Sequence, residues 1–498
     1  MEHNSIFSLA RLTTDSLFDR LPYINCRGEM MQSTRENKMG TMPVGRLVVT
    51  MSLPIILSML VQACYNVVDS VYISHFDVNA LTAVSLAFPA QNLMIGTAVG
   101  TATGVNALLS RALGAHEPER ARKVAENGVL LAFIGYLIFL LFGLFGSRFF
   151  MTTQTKVAEI VDYGVDYLTV CCCISFGIFG EVMFERIIQA TGQTIYTMLT
   201  QGAGAICNII LDPVFIFRRG EGILGMGVFG MGVKGAAIAT VTGQIVACLL
   251  AIVINHLKNN EVKMDLKRFK PDIEIIKGIY GIAVPSIIMV AIGSVMTYLL
   301  DIILIKYTQG KEAAATVFGV YFKLNSFIFM PVFGLNNGVI PIIGYNYGAR
   351  NRRRMIKAIK TAMLIAFTFM LLGTILFMAF PQVLLGFFNA TPQMIEIGIP
   401  ALRIIASTFI IASICIVIGA VFQALSFGVY STIVSLGRQL IALVPAAWLL
   451  AQTGQRIGDQ NLVWYSFPIA EIASLAISML LFMRLYRNRI AVLPDGNE

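Results

Sequence analysis

The chain has 498 residues, of which 56% are apolar and only 13% charged, about half the charge of an ordinary soluble protein. A bilayer-crossing helix takes about 20 apolar residues, so this composition excludes a large soluble domain beside a small anchor, a disordered chain, a coiled coil and a disulfide-stapled secreted module. The net charge of +9 reads as a topology signal rather than a nucleic-acid footprint.

Residues 1–45 contain Asp15, Asp19, Glu29 and Glu36 and no long apolar core before a small-residue cleavage site, so no secretory signal is expected. Ile6, Leu9, Leu12, Leu17 and Leu21 make a weak apolar stripe, open to an interfacial helix or a disordered tail. Met31 and Met39 leave a later translation start open. From Val48 onward, twelve predicted spans follow one another: 48–74, 81–109, 127–150, 160–185, 190–217, 234–257, 275–305, 312–345, 358–380, 394–424, 427–452 and 462–485. The fold class expected is an all-α integral membrane protein. With both termini placed in the cytoplasm, 26 of the 37 Lys and Arg fall on the inner side and 8 on the outer, the bias of the positive-inside rule. Seven of the eight cysteines lie in apolar stretches without a C-x-x-C pair, and His3, His75, His116 and His256 lie in tails or loops. Packing thiols, and no metal site or cofactor, are therefore expected.

The two halves superimpose at one offset of 234 residues. Gly100, Gly104, Gly114 and Ala115 fall on Gly334, Gly338, Gly348 and Ala349; Arg120 and Lys123 fall on Arg354 and Lys357; Gln189, Ala190 and Tyr196 fall on Gln423, Ala424 and Tyr430. Pro54 meets Pro285 after a three-residue adjustment. Six spans per repeat is an even number, so both copies enter the membrane the same way and are related by a pseudo-two-fold axis along its normal. The division expected is a tail at 1–45, an N-lobe at 46–257, a basic linker at 258–274, a C-lobe at 275–487 and a tail at 488–498. Two such bundles leave a central cleft that rocking opens to either side; a passive channel is the alternative.

Polar residues within spans are costly, about 2.5–3.5 kcal/mol for a charge at the bilayer centre. Gln62, Asn66 and Asp69 share a face of the first span, and Gln201, Asn208 and Asp212 a face of the fifth, with Pro213 following. Thr240 and Gln244 lie one turn apart in the sixth. Three helices can thus turn polar faces toward two carboxylates, whose simultaneous ionisation desolvation and mutual repulsion make costly. Such a cluster suits proton exchange; sodium held by the same oxygens and amides is the rival, and capping near the helix ends is the structural alternative. Pro54 makes a bend in the first span plausible. In the second half Asp301 is the near-counterpart of Asp69, and Lys323 is expected to be buried in the eighth span, where an ion pair with Asp301 or a snorkelling lysine is favoured over substrate contact; Gln62, Gln201, Gln244, Asp301 and Lys323 are the substrate-cleft candidates. Arg403 and Arg438 are expected to reach an interface or a carbonyl cluster, and Glu181 and Glu185 to pair with Arg186. The abundant aromatics and 24 Met could line a wall for lipophilic cations.

The motifs Pro54-x14-Asp69, Asn208-Ile-Ile-Leu-Asp212-Pro213 and Gly235-Ala-Ala-Ile-Ala-Thr240, with the paired Gly-Ala loops, resemble the MATE (multidrug and toxic compound extrusion) family over residues 45–487, most of all its DinF-like branch with the MepA-type exporters. The resemblance implies two six-helix lobes in a V and a cation-coupled antiporter exporting amphipathic or cationic compounds. It implies an N-lobe coupling site at Asp69, Asn208 and Asp212, with Thr240 as partner and Pro54 as the bending proline. The NorM-like branch uses seventh- and tenth-span acids, and this chain has no acid in its seventh span before Asp301. The expectations that follow are a proton or sodium as coupling ion, a monomer in the bacterial cytoplasmic membrane, and no nucleic-acid partner. A flippase for a lipid-linked or anionic metabolite remains the alternative. An enzyme is disfavoured, since no D-x-x-x-D, H-x-x-x-x-D or H-E-x-x-H motif is present.

Overall fold

Apolar runs longer than 20 residues bury their backbone polar groups only by closing their own hydrogen bonds, and the chain accordingly forms helices almost throughout. The computed structural model describes residues 37–221, 225–265, 269–308, 311–388 and 391–495; the stripe from Ile6 to Leu21 lies outside them. After a short helix, Lys38–Thr41, come α1 (Val44–Phe76), α2 (Val78–Gly114), α3 (Pro118–Gln154), α4 (Ala158–Cys173 with Phe176–Ala190), α5 (Ile195–Ile216) and α6 (Val233–Lys258). The second half supplies α7 (Ile273–Tyr307), α8 (Lys311–Gly348), α9 (Arg352–Ala379), α10 (Pro392–Ala406 with Phe409–Ala424), α11 (Gly428–Ile457) and α12 (Gln460–Ile490). Each coincides with a predicted span to within several residues, except that α4 and α10 are broken helices bent by 46° and 49°.

The repeat holds at the level of the backbone. The two breaks correspond with a one-residue adjustment of the offset and share a contact: Ser175 Oγ donates to the Cys172 carbonyl at one, and Thr408 Oγ1 to the Ile405 carbonyl at the other. The left-handed residues that end the helices obey the 234-residue offset without adjustment. His116 (φ 56°) matches Arg350 (φ 53°), and Gly192 (φ 88°) matches Ser426 (φ 66°). These turns conserve a shape while the side chains diverge, even where a side chain is strained by positive φ.

Across the pseudo-symmetry α1 packs on α8 and α2 on α7. Small residues set these crossings. Gly96 and Gly100 seat Val290 and Ile287 of α7, while Gly334 and Gly338 seat Ile56 and Ser52 of α1. At the far end of α2 and α8 the contact is reciprocal: Gly114 lies against the Tyr345 carbonyl and Gly348 against the Arg111 carbonyl, too close for any Cβ. The first half of α1, from Met51 to Ser58, is mostly buried, whereas beyond Leu60 it is more open. The halves are therefore tightly crossed at the end that carries Lys38–Thr41.

That short helix spans the crossing. Asn37 caps it at Met39 N (2.9 Å) and donates its amide to the Glu261 carboxylate (2.7 and 2.8 Å) and to the Thr191 carbonyl (3.1 Å). On its other side Arg354 donates to the carbonyls of Met39 (3.2 Å) and Met42 (2.6 Å). Burial pushes Glu261 above its ordinary value, with the Asn37 amide and Lys38 pulling back; burial lowers Lys38, opposed by Glu261.

Three expected charge contacts resolve differently. Lys323 is exposed, and among the described residues it makes no ion pair with Asp301, which is partly buried. The reason is depth: Asp301 lies six residues before the end of α7 and Lys323 twelve after the start of α8, an offset of about 9 Å along the helices. Arg186 does not pair with Glu181 or Glu185 but donates to Gln189 Oε1 at 2.9 Å, one turn along its own helix. Arg403 does reach a carbonyl, that of Met378, at 3.2 Å. Arg438 instead pairs with Glu471 of α12 at 2.8 Å, an acid that pattern reasoning overlooked.

Candidate functional site

Pro54 has no N–H, so the Thr50 carbonyl one turn back loses its helical donor. The Thr194 hydroxyl, just before α5, stands 3.4 Å from that carbonyl, and Ser58 Oγ donates to the Pro54 carbonyl at 2.8 Å. A neighbouring helix thus repairs the break, as it must where no water competes. The bend-prone segment of α1 is thereby tied to α5, the helix that carries Asn208 and Asp212.

Between α1, α2, α4, α5 and α6 lies a cavity of about 160 Å³. Gln62, Gln201, Asn208, Thr240 and Gln244 all line it. Asn208 Nδ2 donates to Asp212 Oδ1 at 3.2 Å and reaches Thr240 Oγ1 at 3.4 Å, so one amide joins two helices. Asp69 adjoins Asp212, carboxyl to carboxyl, just beyond this wall. Asn66 does not join them; it is exposed. Asp301 and Lys323 stand outside the cavity lining. Four buried oxygens here, Asp69 Oδ1, Asp212 Oδ2, Asn208 Oδ1 and Gln201 Oε1, accept no hydrogen bond from the protein.

The opposite wall carries a second acidic pair. Glu181 and Glu185, one turn apart on α4, both line the cavity and are buried. Glu185 accepts from Thr200 (2.6 Å) and Gln201 (2.8 Å). Gln189, one turn further, receives Arg186 and lies 3.5 Å from the Asn106 amide. The signal was in the sequence: residues 181, 185 and 189 make a polar stripe at helical spacing. Only the fold shows that this stripe faces Gln201 across a shared cavity. Among the described residues no group of three or more His, Cys, Asp or Glu converges as a metal site, and the cysteines from Cys64 to Cys415 are free thiols.

The MatE family model matches the chain twice, over residues 54–214 and 285–448, one match in each half and each beginning at a proline of the repeat. The chain belongs to the MatE family. It is accordingly a multi-pass membrane transporter and not an enzyme. The multidrug export protein MepA of Staphylococcus haemolyticus (strain JCSC1435) is 24% identical over 443 residues, spanning 89% of this chain and 93% of that protein. A multidrug resistance MATE family transporter of the MOP superfamily, solved in an outward-facing conformation, superimposes with a TM-score of 0.83 at 25% identity, over 92% of this chain and 99% of that one. A MOP superfamily transporter from Pyrococcus furiosus, at 24% identity and TM-score 0.83 over 91% and 99%, shares the fold. The V-shaped fold of two six-helix lobes is thus that of MATE transporters.

Proposed function

We propose that this MATE transporter is a multidrug exporter, exchanging protons or, as the second choice, sodium for amphipathic and cationic organic compounds by alternating access of its two lobes. The reading places it as a monomer in a bacterial cytoplasmic membrane with both termini inside. What carries it is the group of four buried acceptor oxygens on Asp69, Asp212, Asn208 and Gln201 without a protein donor. Two adjoining carboxyls in an apolar bundle need a positive partner, and a proton or a sodium ion supplies one. Asp69, Asn208 and Asp212 take that ion, with Thr240 beside Asn208. Pro54 lets α1 change shape as the charge comes and goes. Glu181, Glu185 and the glutamines give the cavity acceptors for a cationic substrate.

An anionic cargo would call for free cations along the path. Arg438 is committed to Glu471, Arg403 to a backbone carbonyl and Arg186, on the cavity wall, to Gln189, while Lys323 stands outside the cavity lining, which weighs against the flippase reading. One proton exchanged for one monovalent cation is electroneutral and yields about 1.4 kcal/mol per pH unit, a tenfold gradient.

The test is flux of a fluorescent lipophilic cation from sealed proteoliposomes under an imposed pH or sodium gradient, for the wild type and for Asp69→Asn and Asp212→Asn. Flux that follows pH and is lost in both variants is the expected result. Flux following only sodium changes the ion. Folded protein that moves no cation under either gradient overturns the reading.

A further inference from the structure

At the glycine crossing of α2 and α8 lies a second cavity, of about 380 Å³, more than twice the volume of the first and sharing no lining residue with it. Three pieces of chain wall it: the end of α2 with the turn after it and the first turn of α3, the end of α8 and the turn after that, and the end of α12 with the residues that follow it. Four arginines, Arg111, Arg120, Arg350 and Arg489, line it against one acidic residue, Glu117. Glu117 is taken by Arg120 at 3.1 Å. The other three arginines have no carboxylate within 4 Å among the described residues. Arg111 lies over the Tyr347 ring at 4.9 Å and Arg489 over the Phe427 ring at 5.9 Å. Aromatic faces thus position two of the guanidiniums without neutralising them. Asn488 adds an uncharged amide to the wall.

Three uncompensated cations converging from separate segments repel one another. A polyanion removes that cost. Guanidinium groups match phosphate oxygens in pairs, a geometry that lysine lacks. The volume lies within the range of small-ligand sites. We propose that this pocket binds a phosphate-bearing anion, either a lipid headgroup or a soluble phosphate compound, and that the bound anion ties the two halves together at their crossing. Arg111 comes from the first half and Arg350 from the second, so a ligand held by both stabilises the crossed arrangement in preference to one in which Gly114 and Gly348 separate. The binding claim does not rest on the transport reading above, because it needs no ion gradient and no exported substrate.

The experiment measures thermal unfolding of the purified full chain in neutral detergent at fixed ionic strength. One arm titrates inorganic pyrophosphate; the other adds phosphatidylglycerol, with phosphatidylcholine as its control. The wild type should show a saturable upward shift in at least one arm. The double variant Arg111→Gln/Arg350→Gln should need at least tenfold more of the same probe. Arg489→Gln, in the last turn of α12, gives the same reading should the double variant not fold. Arg148→Gln, an exposed arginine outside the pocket, should behave as wild type. A pyrophosphate response alone assigns a soluble ligand, and a phosphatidylglycerol response alone a headgroup. No saturable shift in either arm, or equal shifts in the wild type and the pocket variants, overturns the proposal.

Discussion

The Thr194 hydroxyl stands 3.4 Å from the Thr50 carbonyl, the carbonyl that Pro54 deprives of its helical partner. The pseudo-symmetric position in the second half is Gly428, which has no side chain to offer the Gly281 carbonyl. In the second half a hydroxyl acts at a different carbonyl, Thr432 Oγ1 donating to that of Pro285 at 3.0 Å; the first half is also the half that holds the carboxyl pair. Thr194→Val keeps the shape and removes the donor. It should lower stability by about 0.5–1.5 kcal/mol, the net value of one hydrogen bond, read as a fall in the detergent unfolding midpoint. An unchanged midpoint would mean that the carbonyl finds another donor.

Gly348 touches the Arg111 backbone, which cannot rotate away. Gly348→Ala must push α8 off α2, at a cost of about 1–3 kcal/mol for overpacking. Gly281, also inside a helix, has open space where its Cβ would go. Gly281→Ala should instead raise stability by about 0.4–1 kcal/mol. Midpoints that move the same way in both variants would contradict the crossing described.

The Arg438–Glu471 pair joins α11 to α12 at 2.8 Å, with Glu471 nearly buried and Arg438 about one-third exposed. Removing one partner leaves a charge in a poor environment. Arg438→Leu should cost about 2–3 kcal/mol, discounted from the fully buried case for that exposure. Adding Glu471→Leu should recover part of the loss, because the double variant strands no charge. Additive losses in the cycle would show that the pair carries no coupling.

Glu261 titrates above its ordinary value in the folded chain, chiefly through desolvation. A raised folded-state value means that the native state holds the proton more tightly than the unfolded chain does. The stabilisation is complete below the unfolded value, near 4.5, and is lost as pH rises through the folded one. Glu261→Gln lacks this dependence. The unfolding midpoint of the wild type should therefore fall relative to Glu261→Gln as pH increases from about 4 to 7. A constant difference between the two would count against the assignment.

Much of this architecture was legible in one dimension. Span positions followed from apolar length, since a helix in hydrocarbon satisfies its backbone locally and needs no long-range partner. The 234-residue offset exposed the repeat because paired glycines must recur wherever two helices cross closely; Gly114 and Gly348 do so in the structure. Gln62, Gln201, Asn208, Thr240 and Gln244 were found from helical spacing, which places residues on a face, and all five line one cavity.

Spacing along a helix does not say which face meets which neighbour, and there the tertiary structure decided. Asp301 and Lys323 carry opposite charges on consecutive helices yet differ in depth, so no pair forms. Arg438 found Glu471, 33 residues on, because the packing of α11 on α12 brings them together. Glu181 and Glu185 became cavity walls once the bend in α4 aimed them at α5. The arginines at the glycine crossing come from three stretches of chain more than a hundred residues apart, and only the fold concentrates their charge. Hydrophobic length and periodicity are local quantities that each segment carries with it. Charge pairing and cavities belong to the distances between segments, and those exist only once the helices have packed.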